Sequence, residues 1–464
     1  MQSPPDTKYR FRAVITFVDN FWLKVETDPY TNSFIRKYFT VFKEGAYFSP
    51  SFRAKTWDGN IYFYTPANKL PIGLLKELLD FLNINNIPVS FTNERQTLQP
   101  ETLEVPKDFL PNITLRPYQI EAVNACLKTG MGIVKVATGG GKTVMICAVL
   151  KAYNPILGLI VANQINLVMQ MRDRLISYGF DRSKIGIIYG NEKDYKGKQF
   201  VFSTIQSIMN YPEIYKYAEV LIVDEVKHVS AATYAELSKK TGALVKLGFD
   251  ATPFTYDDRC TDLTVKKSIG DIIYEKTTRD LIDLGHLVRP LIGMIKINND
   301  KTTLDYKTAY KQLIVNNDKR NNIIKKIVEK ENGKILILIH HIEHGKNLMK
   351  LIPDATFLWG EIDSIERYEE LQNFINTKEK YVLIGSTIFD EGIDFEKGID
   401  AIIVASAGKS FRKVVQRLGR ALRPNKKGYV NVYDFNDLGN KYLKDHSEIR
   451  KDIYENEGHT VIVQ

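Results

Sequence analysis

A glycine-rich loop between a strand-like and a helix-like segment constrains the fold of this chain more than any other feature. The strand-like run spans residues 132–136, the loop spans 137–143, and a helix-like run follows over 144–150. A strand, a glycine-rich turn and a helix N-terminus in this order form the context that a phosphate-binding loop needs. The sequence therefore predicts an α/β domain that binds a phosphorylated nucleotide.

The residues of this loop suit the chemistry of a nucleoside triphosphate. Glycines let backbone N–H groups close around phosphate oxygens, and the following helix adds the positive end of its dipole. Lys142 can neutralise the β- and γ-phosphates, and the Thr143 hydroxyl can ligate Mg²⁺. The other loop residues that we expect around the phosphates are Thr138, Gly139, Gly140 and Gly141.

Two carboxylates, Asp224 and Glu225, end a strongly apolar run downstream of the loop. Asp224 is expected to hold Mg²⁺, directly or through water, and Glu225 to activate the attacking water. An isolated Asp-Glu pair is commonly a strand end with two surface acids. The catalytic interpretation is favoured here because the pair follows a phosphate-binding loop within one predicted parallel-sheet domain.

A basic segment near the end of the chain supplies a second set of candidates. Residues 406–428 contain eight Lys or Arg and no acidic residue, which a solvated helix rarely needs. Arg420 and Arg423 are three residues apart, so they share one helix face. Arginines in this position can reach a γ-phosphate across a domain cleft and stabilise transition-state charge. Part of this charge can instead serve DNA phosphates.

The composition limits the class of protein. A chain of 464 residues is expected to form two or three domains, and 44% hydrophobic with 26% charged residues is typical of a soluble globular protein. No apolar run reaches the roughly 18 residues of a membrane span, and the N-terminus lacks a signal pattern. Cys126, Cys147 and Cys260 are few and scattered, which fits a reducing cytoplasm. The net charge of +9 is compatible with a polyanionic partner.

Three regions of the chain differ in their residue patterns. Residues 1–100 are rich in aromatic side chains and short alternating runs, which predicts a small α+β domain. In 101–285 and 286–464, apolar strands alternate with helices, which indicates parallel sheets covered by helices. The stretch 255–317 contains the predicted linker between these two. The predicted strands of the two larger regions are 133–136, 157–161, 200–203, 220–223, 245–248, 334–339, 381–384, 399–404 and 429–434.

Taken in order, these segments resemble the motifs of superfamily 2 helicases. The resembling segments are 115–119 (adenine-reading segment), 136–143 (motif I), 161–170 (Ia), 203–207 (the next strand-end DNA contact), 224–228 (II), 248–253 (III), 386–394 (V) and 416–423 (VI). The set is specific because all of its members occur in the expected order. The resemblance implies an α/β chain with two tandem RecA-like parallel-sheet domains that share one site for ATP and Mg²⁺.

The resemblance also implies roles for further residues. Gln119 is implied to recognise the adenine edge with help from Arg116, and Gly392 and Asp394 to contribute to nucleotide binding. Gln416 is implied to act with the two arginines of motif VI. The residues implied to contact DNA are Asn163, Gln164, Thr204, Gln206, Ser386 and Thr387.

The first region extends the resemblance to most of the chain. Residues 45–61 and 70–74 are similar to the N-terminal domain of phage UvsW-type branch-migration helicases, a small α+β unit implicated in DNA binding. Arg53, Lys55 and Trp57 are therefore expected to stack on or brace branched DNA. Most of the aromatic residues, with Trp57 among them, are instead expected in the core of a small packed domain.

Two positions depart from the family pattern. Lys227, followed by His228, occupies a motif II position where the family usually has His. Asp250 replaces the usual Ser or Thr of motif III. A Lys227–Asp250 charge pair could restore the contact that these positions normally make, while Asp224 and Glu225 retain the pattern.

The resemblance implies an ATP-dependent DNA helicase or translocase that acts 3′→5′ on forks, Holliday junctions or displacement loops in recombination, repair and replication. DNA is the expected partner, in a bacterial or phage-infected host cytoplasm. The oligomeric state does not follow from the sequence, although a monomer is plausible. Two alternatives stay open. One is an RNA helicase of the same superfamily, since phosphate contacts do not separate DNA from RNA. The other is a non-unwinding ATP-driven clamp or translocase subunit of a nuclease.

Overall fold

The computed structural model describes residues 12–190, 192–226, 231–254, 258–362, 364–386, 398–408, 419 and 422–464. Contacts between residues divide the chain into two compact units. The first comprises Met1–Val136 and Gly141–Glu275, and the second comprises Ala137–Gly140 and Lys276–Gln464.

The N-terminal part of the first unit is a small α+β fold. Its strands are β1 (Ala13–Phe17), β2 (Trp22–Glu26), β3 (Thr40–Phe42), β4 (Asn60–Tyr62), β5 (Lys69–Pro71) and β6 (Val89–Phe91), and its helices are α1 (Pro29–Tyr38), α2 (Pro50–Arg53) and α3 (Leu75–Ile84). Four strands form a sheet in the order β5-β2-β1-β6, and β3 pairs with β4 in a separate antiparallel ribbon. Helix α1 begins where the Asp28 carboxylate accepts hydrogen bonds from the backbone N–H groups of Tyr30 and Thr31.

A large sheet forms the rest of the first unit. Its strands are β7 (Met131–Val136), β8 (Gly158–Ala162), β9 (Ile185–Tyr189), β10 (Glu192–Asp194), β11 (Phe200–Thr204), β12 (Val220–Asp224), β13 (Val245–Asp250) and β14 (Ile272–Lys276), in the order β10-β9-β11-β8-β12-β13-β7-β14. Its helices are α4 (Pro117–Thr129), α5 (Lys142–Tyr153), α6 (Ile165–Ser177), α7 (Ile205–Ile208), α8 (Pro212–Tyr215), α9 (Ala231–Lys240) and α10 (Arg259–Ile269). The central strands β11, β8, β12, β13 and β7 pair in parallel, so the loops after them leave from one edge of the sheet.

The small N-terminal fold shares a hydrophobic core with the large sheet. Met131, Cys260 and Leu263 of the large domain are buried in one cluster with the apolar side chains of the N-terminal strands. A buried lysine, Lys246 on β13, adds hydrogen bonds, because its Nζ donates to the carbonyl oxygens of Asn20 at 2.9 Å and Ser238 at 2.7 Å. The N-terminal fold is therefore packed into the first unit and is not attached by a linker alone.

The second unit is built on a parallel sheet of seven strands. These are β15 (Arg289–Thr302), β16 (Lys334–Leu338), β17 (Thr356–Leu358), β18 (Tyr381–Gly385), β19 (Ala401–Val404), β20 (Tyr429–Asn440) and β21 (Val461–Val463), in the order β17-β18-β16-β19-β20-β15-β21. The helices are α11 (Thr278–Asp283), α12 (Tyr306–Tyr310), α13 (Asp318–Lys330), α14 (Ile342–Leu351), α15 (Ser364–Asn376) and α16 (Lys441–Asn456), and a π-helical turn spans Lys311–Val315. Strands such as β16 are entirely buried, as expected for a sheet covered on both faces.

Two fully buried ion pairs connect elements of the second unit. Arg450 on α16 is 1% exposed, and its Nε lies 2.9 Å from Asp434 Oδ2 on β20. Arg320 on α13 pairs with Asp437, also on β20, and both side chains are 0% exposed. These pairs fix two helices to the same strand.

The predicted fold class is confirmed: two parallel-sheet regions follow a small α+β fold. The predicted domain boundaries after residues 100 and 285 stay predictions. Strand β15 was not predicted, because it lies inside the stretch 255–317, which the sequence analysis describes only as containing the linker. Its second half carries Asn298, Asn299 and Asp300, which break the apolar run that identifies the other strands.

Candidate nucleotide-binding site and nucleic-acid interface

The predicted phosphate-binding loop connects β7 to α5. Gly139 and Gly141 have φ angles of +87° and +82°. Residues with a side chain rarely adopt this backbone region. The Gly140 N–H donates to the Ala137 carbonyl oxygen at 3.0 Å and closes the turn. Lys142 begins α5, followed by Thr143, so both stand where the N–H groups of a helix lack intrahelical acceptors. This arrangement suits an anion such as a phosphate.

Gln119 lies against this loop. Its side chain is only 4% exposed, and a Cβ added to Gly141 would stand 2.4 Å from Gln119 Nε2. Gln119 Oε1 accepts a hydrogen bond from the Arg116 backbone N–H at 2.9 Å, which fixes the amide at the start of α4. Arg116 Nη1 donates to the Tyr118 hydroxyl at 3.2 Å. The structure thus brings the predicted adenine-reading residue to the loop, while its role stays a prediction.

The two predicted catalytic acids lie at the end of β12, which β13 separates from β7 in the sheet. Asp224 is buried, and its Oδ1 has no hydrogen-bond partner among the described residues. Burial, and then the charge of Glu225, raises the pKa of Asp224 to about 7, against the opposing influence of Lys142. Glu225 has a left-handed backbone with φ of +55°, and its N–H donates to the Phe249 carbonyl oxygen at 2.9 Å. A buried carboxylate oxygen that lacks a donor fits a cation ligand.

A tyrosine that the sequence does not single out lies near these acids. Tyr234 on α9 is 2% exposed, and its hydroxyl has no partner among the described residues. Burial, followed by the charges of Asp224, Asp250 and Glu225, raises its pKa. Asp250 is fully buried at the end of β13, where its Oδ1 accepts from the Thr252 N–H at 2.8 Å. No motif marks Tyr234, so only the packing of α9 identifies it.

The residues present fit a divalent cation held partly by phosphate. In the parts of the chain that the structure describes, no group of three or more His, Cys, Asp or Glu side chains is placed to hold a metal ion. Mg²⁺ commonly takes one or two protein ligands together with substrate phosphates and water. The Thr143 hydroxyl and the Asp224 carboxylate suit that pattern.

Of the three motif VI residues with a predicted role, only Arg423 lies inside the described ranges. Its Nη1 donates to the Gly139 carbonyl oxygen at 2.9 Å, and both residues belong to the second compact unit. Several predicted residues lie outside the described ranges: Lys227, His228, Thr387, Gly392, Asp394, Gln416 and Arg420. The proposed pair of Lys227 with Asp250 therefore stays a prediction.

The predicted DNA contacts of the first unit lie at the carboxyl edge of the large sheet. Ala162 at the end of β8 pairs with Thr204 at the end of β11, which places Asn163 beside Thr204 at that edge. Asn163 Oδ1 is buried without a hydrogen-bond partner among the described residues. The Thr204 hydroxyl caps α7, and Gln206 on that helix is exposed. Gln164 immediately precedes α6 at the same edge.

Ser386, a predicted DNA contact in the second unit, has little exposed surface. Ser386 follows β18 and is 5% exposed, and its N–H donates to the Leu358 carbonyl oxygen at 3.2 Å. A contact from this residue would need its backbone more than its side chain.

The predicted N-terminal contacts surround an open pocket of about 860 Å³. Arg53 and Lys55 are exposed. Trp57 is half-buried, and its indole N–H donates to the Asn60 carbonyl oxygen at 2.8 Å. Trp57 thus packs within the domain and also lines the pocket, while its contact with DNA stays a prediction.

Two further findings concern the cysteines and the helices. Cys126, Cys147 and Cys260 are all buried and form no disulfide. Over the described ranges, no helix combines the length and apolarity needed to cross a bilayer.

Three family models match the chain. Residues 13–92 match the model described as DNA helicase UvsW, N-terminal. Residues 112–255 match that of the type III restriction enzyme, res subunit, and residues 318–425 match the helicase conserved C-terminal domain.

Named proteins of archaea, phage and yeast are also similar. The DNA 3′-5′ translocase XPB2 of Sulfurisphaera tokodaii is 28% identical over 68% of this chain and 80% of its own length. The ATP-dependent DNA helicase uvsW of Enterobacteria phage T4 is 24% identical over 91% of this chain and 90% of its own length. The structure of S. cerevisiae Dbp5 bound to RNA and ADP BeF3 has a TM-score of 0.56 at 14% identity, over 76% of this chain and 90% of that one. The last likeness concerns the fold alone.

Proposed function

The chain is an ATP-hydrolysing DNA helicase or translocase of superfamily 2 with a UvsW-like N-terminal segment, and we propose that it remodels branched DNA. The proposed substrates are forks, Holliday junctions and displacement loops, and the proposed processes are recombination, repair and replication. The observation that carries the proposal is the UvsW-type segment 13–92, which shares a core with the large sheet. A basic surface packed rigidly onto a motor could hold one arm of a junction while the motor moves along another.

The proposed direction of movement is 3′→5′. Its support is the similarity to the S. tokodaii protein, which is named for translocation in that direction. A host-cell cytoplasm is the proposed location, supported by the three buried cysteines without a disulfide.

We propose the following roles in ATP hydrolysis. The glycine loop from Thr138 to Gly141 surrounds the phosphates, and Lys142 neutralises their charge. Thr143 and Asp224 hold Mg²⁺, which when bound screens charge on the phosphate oxygens. Glu225 then accepts the proton of the attacking water.

The remaining nucleotide contacts come from other motifs. Gln119 and Arg116 bind the adenine, and Gly392 and Asp394 contribute from motif V. Gln416, Arg420 and Arg423 stabilise the charge that develops during phosphoryl transfer. The proposed DNA contacts of the motor are Asn163, Gln164, Thr204, Gln206, Ser386 and Thr387.

The test compares nucleic acids as activators of ATP hydrolysis. Single-stranded, duplex, forked and four-way DNA and matched RNAs would be added to the full chain, and strand separation or branch movement followed in parallel. We expect the strongest activation by forked and four-way DNA, with conversion of the junction. Activation by RNA equal to that by DNA would instead support the RNA-helicase alternative.

Two variants tie the activity to the site. Glu225→Gln should bind ATP without hydrolysing it, because only the proton acceptor is removed, and Lys142→Ala should weaken ATP binding. Unchanged DNA-stimulated hydrolysis in Glu225→Gln would remove this residue from the mechanism.

A second candidate function has a specific observation in its favour. Residues 112–255 match the type III restriction subunit model, which supports a non-unwinding translocase that serves a nuclease. DNA-stimulated ATP hydrolysis without any strand separation or branch movement, in the same experiment, would favour this candidate.

A further inference from the structure

An aromatic cluster stands on the surface of the small N-terminal fold. The rings of Phe42 and Tyr47 lie 5.2 Å apart between centroids, and those of Tyr47 and Phe52 lie 5.1 Å apart. Tyr47 is nevertheless 63% exposed, and the adjacent Phe48 is 78% exposed. Exposing two large rings in succession costs hydration free energy, so contiguous exposure of this kind commonly marks a binding surface.

The loop that carries the cluster is held in one conformation. Gly59 has φ of +83°, and a Cβ there would stand 2.4 Å from Phe42 Cε2, so the ring packs where only a glycine leaves room. Asp58 accepts hydrogen bonds from the Asn60 N–H at 3.0 Å and from the Tyr62 hydroxyl. The pocket is therefore formed before any ligand arrives, which lowers the entropy cost of binding.

Positive charge flanks the exposed ring. Arg53 Nε donates to the backbone carbonyl oxygen of Tyr47 at 3.2 Å, which holds the guanidinium beside the residue that carries the exposed ring. Lys55 lines the same pocket from a left-handed backbone with φ of +56°. Asp58 also lines the pocket, but both of its carboxylate oxygens already accept hydrogen bonds from Asn60, and one of them also from Tyr62.

An aromatic ring and two cations that line one pocket match one ligand chemistry in particular. A nucleobase stacks on the ring, and its flanking phosphates pair with Arg and Lys. A stacked duplex does not offer the face of an internal base, whereas an unpaired nucleotide does. The pocket volume of about 860 Å³ lies within the roughly 300–1,000 Å³ of small-ligand pockets, which leaves room for a single nucleotide.

We propose that this pocket binds one unstacked base of single-stranded DNA beside the branch point. The ring of Tyr47 stacks on the base, and Arg53 and Lys55 hold the neighbouring phosphates. The inference rests on the proposed function as a remodeller of branched DNA. It adds that the N-terminal fold recognises an unstacked base in that DNA. Branch recognition then depends on an unpaired nucleotide and not only on the arms of the duplex.

The test scans a fork with abasic sites. Single nucleotides in the unpaired arms near the branch point are replaced one at a time by an abasic residue, which keeps the phosphate and removes the base. The affinity of the full chain is measured by fluorescence anisotropy. We expect one position at which the loss of the base weakens binding roughly 5- to 150-fold, the range for stacking of one base.

Variants of the full chain identify the ring. Tyr47→Ala should bind the intact fork as weakly as the wild type binds that abasic fork, with no further loss on the abasic fork. Tyr47→Phe keeps the ring and should behave as the wild type. Tyr30→Ala removes another exposed ring, 64% exposed on α1 and outside the pocket, and should change nothing.

The outcomes separate this inference from the function on which it rests. If the wild type neither binds forks nor hydrolyses ATP with DNA, the proposed function and the inference fail together. If it does both, but Tyr47→Ala retains the wild-type affinity and abasic profile, the inference alone is overturned. Docking of a protein partner at the pocket would give this second result.

Discussion

At the scale of single residues, the site depends on positions where a side chain has no room. Gly141 combines a positive φ angle with close packing against Gln119, so two separate constraints act on one residue. Gly197, by contrast, has φ of +70°, and a Cβ added there would meet nothing within 4 Å. Comparing substitutions at Gly141 and Gly197 therefore separates the effect of backbone strain from the effect of displacing a neighbouring side chain.

Gly141→Ala should impair nucleotide binding, and Gly197→Ala should not. Both should lose about 1–2 kcal/mol of stability, because each places a side chain in the left-handed region. Only Gly141→Ala displaces the Gln119 amide, and a misplacement of about 1 Å in an active site can cost roughly 10²-fold. The measurements are thermal unfolding and the KM for ATP. Equal KM values for the two variants would contradict the contact.

Arg423→Ala should lower turnover more than nucleotide affinity. The hydrogen bond of Arg423 to the Gly139 carbonyl places a cation beside the phosphate-binding loop, and an arginine in this role is worth roughly 10³–10⁵ in rate. Arg423→Lys keeps the charge but loses the planar fork, so it should restore little. Steady-state hydrolysis is measured with and without DNA.

The matched control for Arg423 is Lys426→Ala, which removes an exposed charge from the same basic segment. It should leave turnover unchanged. If Arg423→Ala hydrolyses ATP normally but loses DNA affinity, the residue is a DNA contact and its catalytic assignment is wrong.

The position of a site residue could be predicted from the sequence only where its chemical type and its place next to a strand both mark it. Asp224 and Glu225 are recognisable because two acids end an apolar run, and the structure brings them to the sheet edge that carries the loop. Tyr234 is not recognisable, since an aromatic residue in a helix usually means packing. Lys246 is also missed, because a lysine in an apolar strand does not reveal that it is buried.

At the scale of elements, β13 connects two parts of the first unit. Lys246 near its start donates a hydrogen bond to the N-terminal loop, and Asp250 at its end lies near the predicted catalytic acids. Burial, and then the charge of Arg95, lowers the pKa of Lys246 to about 7. As the pH rises, Lys246 therefore loses its proton near pH 7 in the folded state, but only near pH 10.4 in the unfolded state.

This pKa shift predicts a pH dependence with a definite sign. Between about pH 7 and about pH 10.4 the unfolded state binds the extra proton, so the free energy of unfolding rises with pH. Below this window both states are protonated, and the cost of burying the charge is present in full. Lys246→Met removes this titration. The difference in unfolding midpoint, wild type minus variant, should rise from about pH 7 to about pH 9. A difference independent of pH would show that Lys246 does not titrate in this window.

The buried ion pairs of the second unit should matter far more than exposed ones. Arg450→Met leaves Asp434 buried without its cation, which typically costs about 3–5 kcal/mol. Lys451→Met, at the next position, breaks an exposed pair with Glu455 at 3.5 Å and should cost less than about 1 kcal/mol. Denaturant unfolding compares the two. Similar losses in both variants would mean that the Arg450 pair contributes little.

Strands could be predicted from the sequence where every residue is buried and the strand is therefore an unbroken apolar run. Strands such as β12 are buried along their whole length, so they read as apolar runs. Strand β15 pairs with β20 over most of its 14 residues. Its polar second half made the strand hard to recognise in the sequence. Pairing with β20 extends to Thr302, although residues 298–302 are all polar and give no apolar run.

At the scale of the whole molecule, the N-terminal fold is part of the first unit's core. Deleting residues 1–92 would expose Met131, Cys260 and Leu263. The truncated chain should therefore unfold at a lower temperature and bind a hydrophobic dye. A truncation as stable as the full chain would show that the shared core contributes nothing to stability.

Removing positive charges from the N-terminal fold should weaken DNA binding without lowering stability. Arg53→Ala with Lys55→Ala removes two exposed cations, so stability should stay within about 0.5 kcal/mol. Binding to four-way DNA should weaken, and its salt dependence should flatten by roughly one unit of slope per lost phosphate contact. Affinity is measured over a series of salt concentrations. An unchanged slope would exclude both residues from the DNA surface.

The shared core also limits how the N-terminal fold could pass between proteins. A domain joined by a linker can be transplanted into a chimera by cutting at its ends. Here the recipient would need apolar partners at the positions of Met131, Cys260 and Leu263 and a buried donor like Lys246. Such a domain is inherited together with the face of the motor on which it rests, so descendants that lose the domain must also rebuild that face.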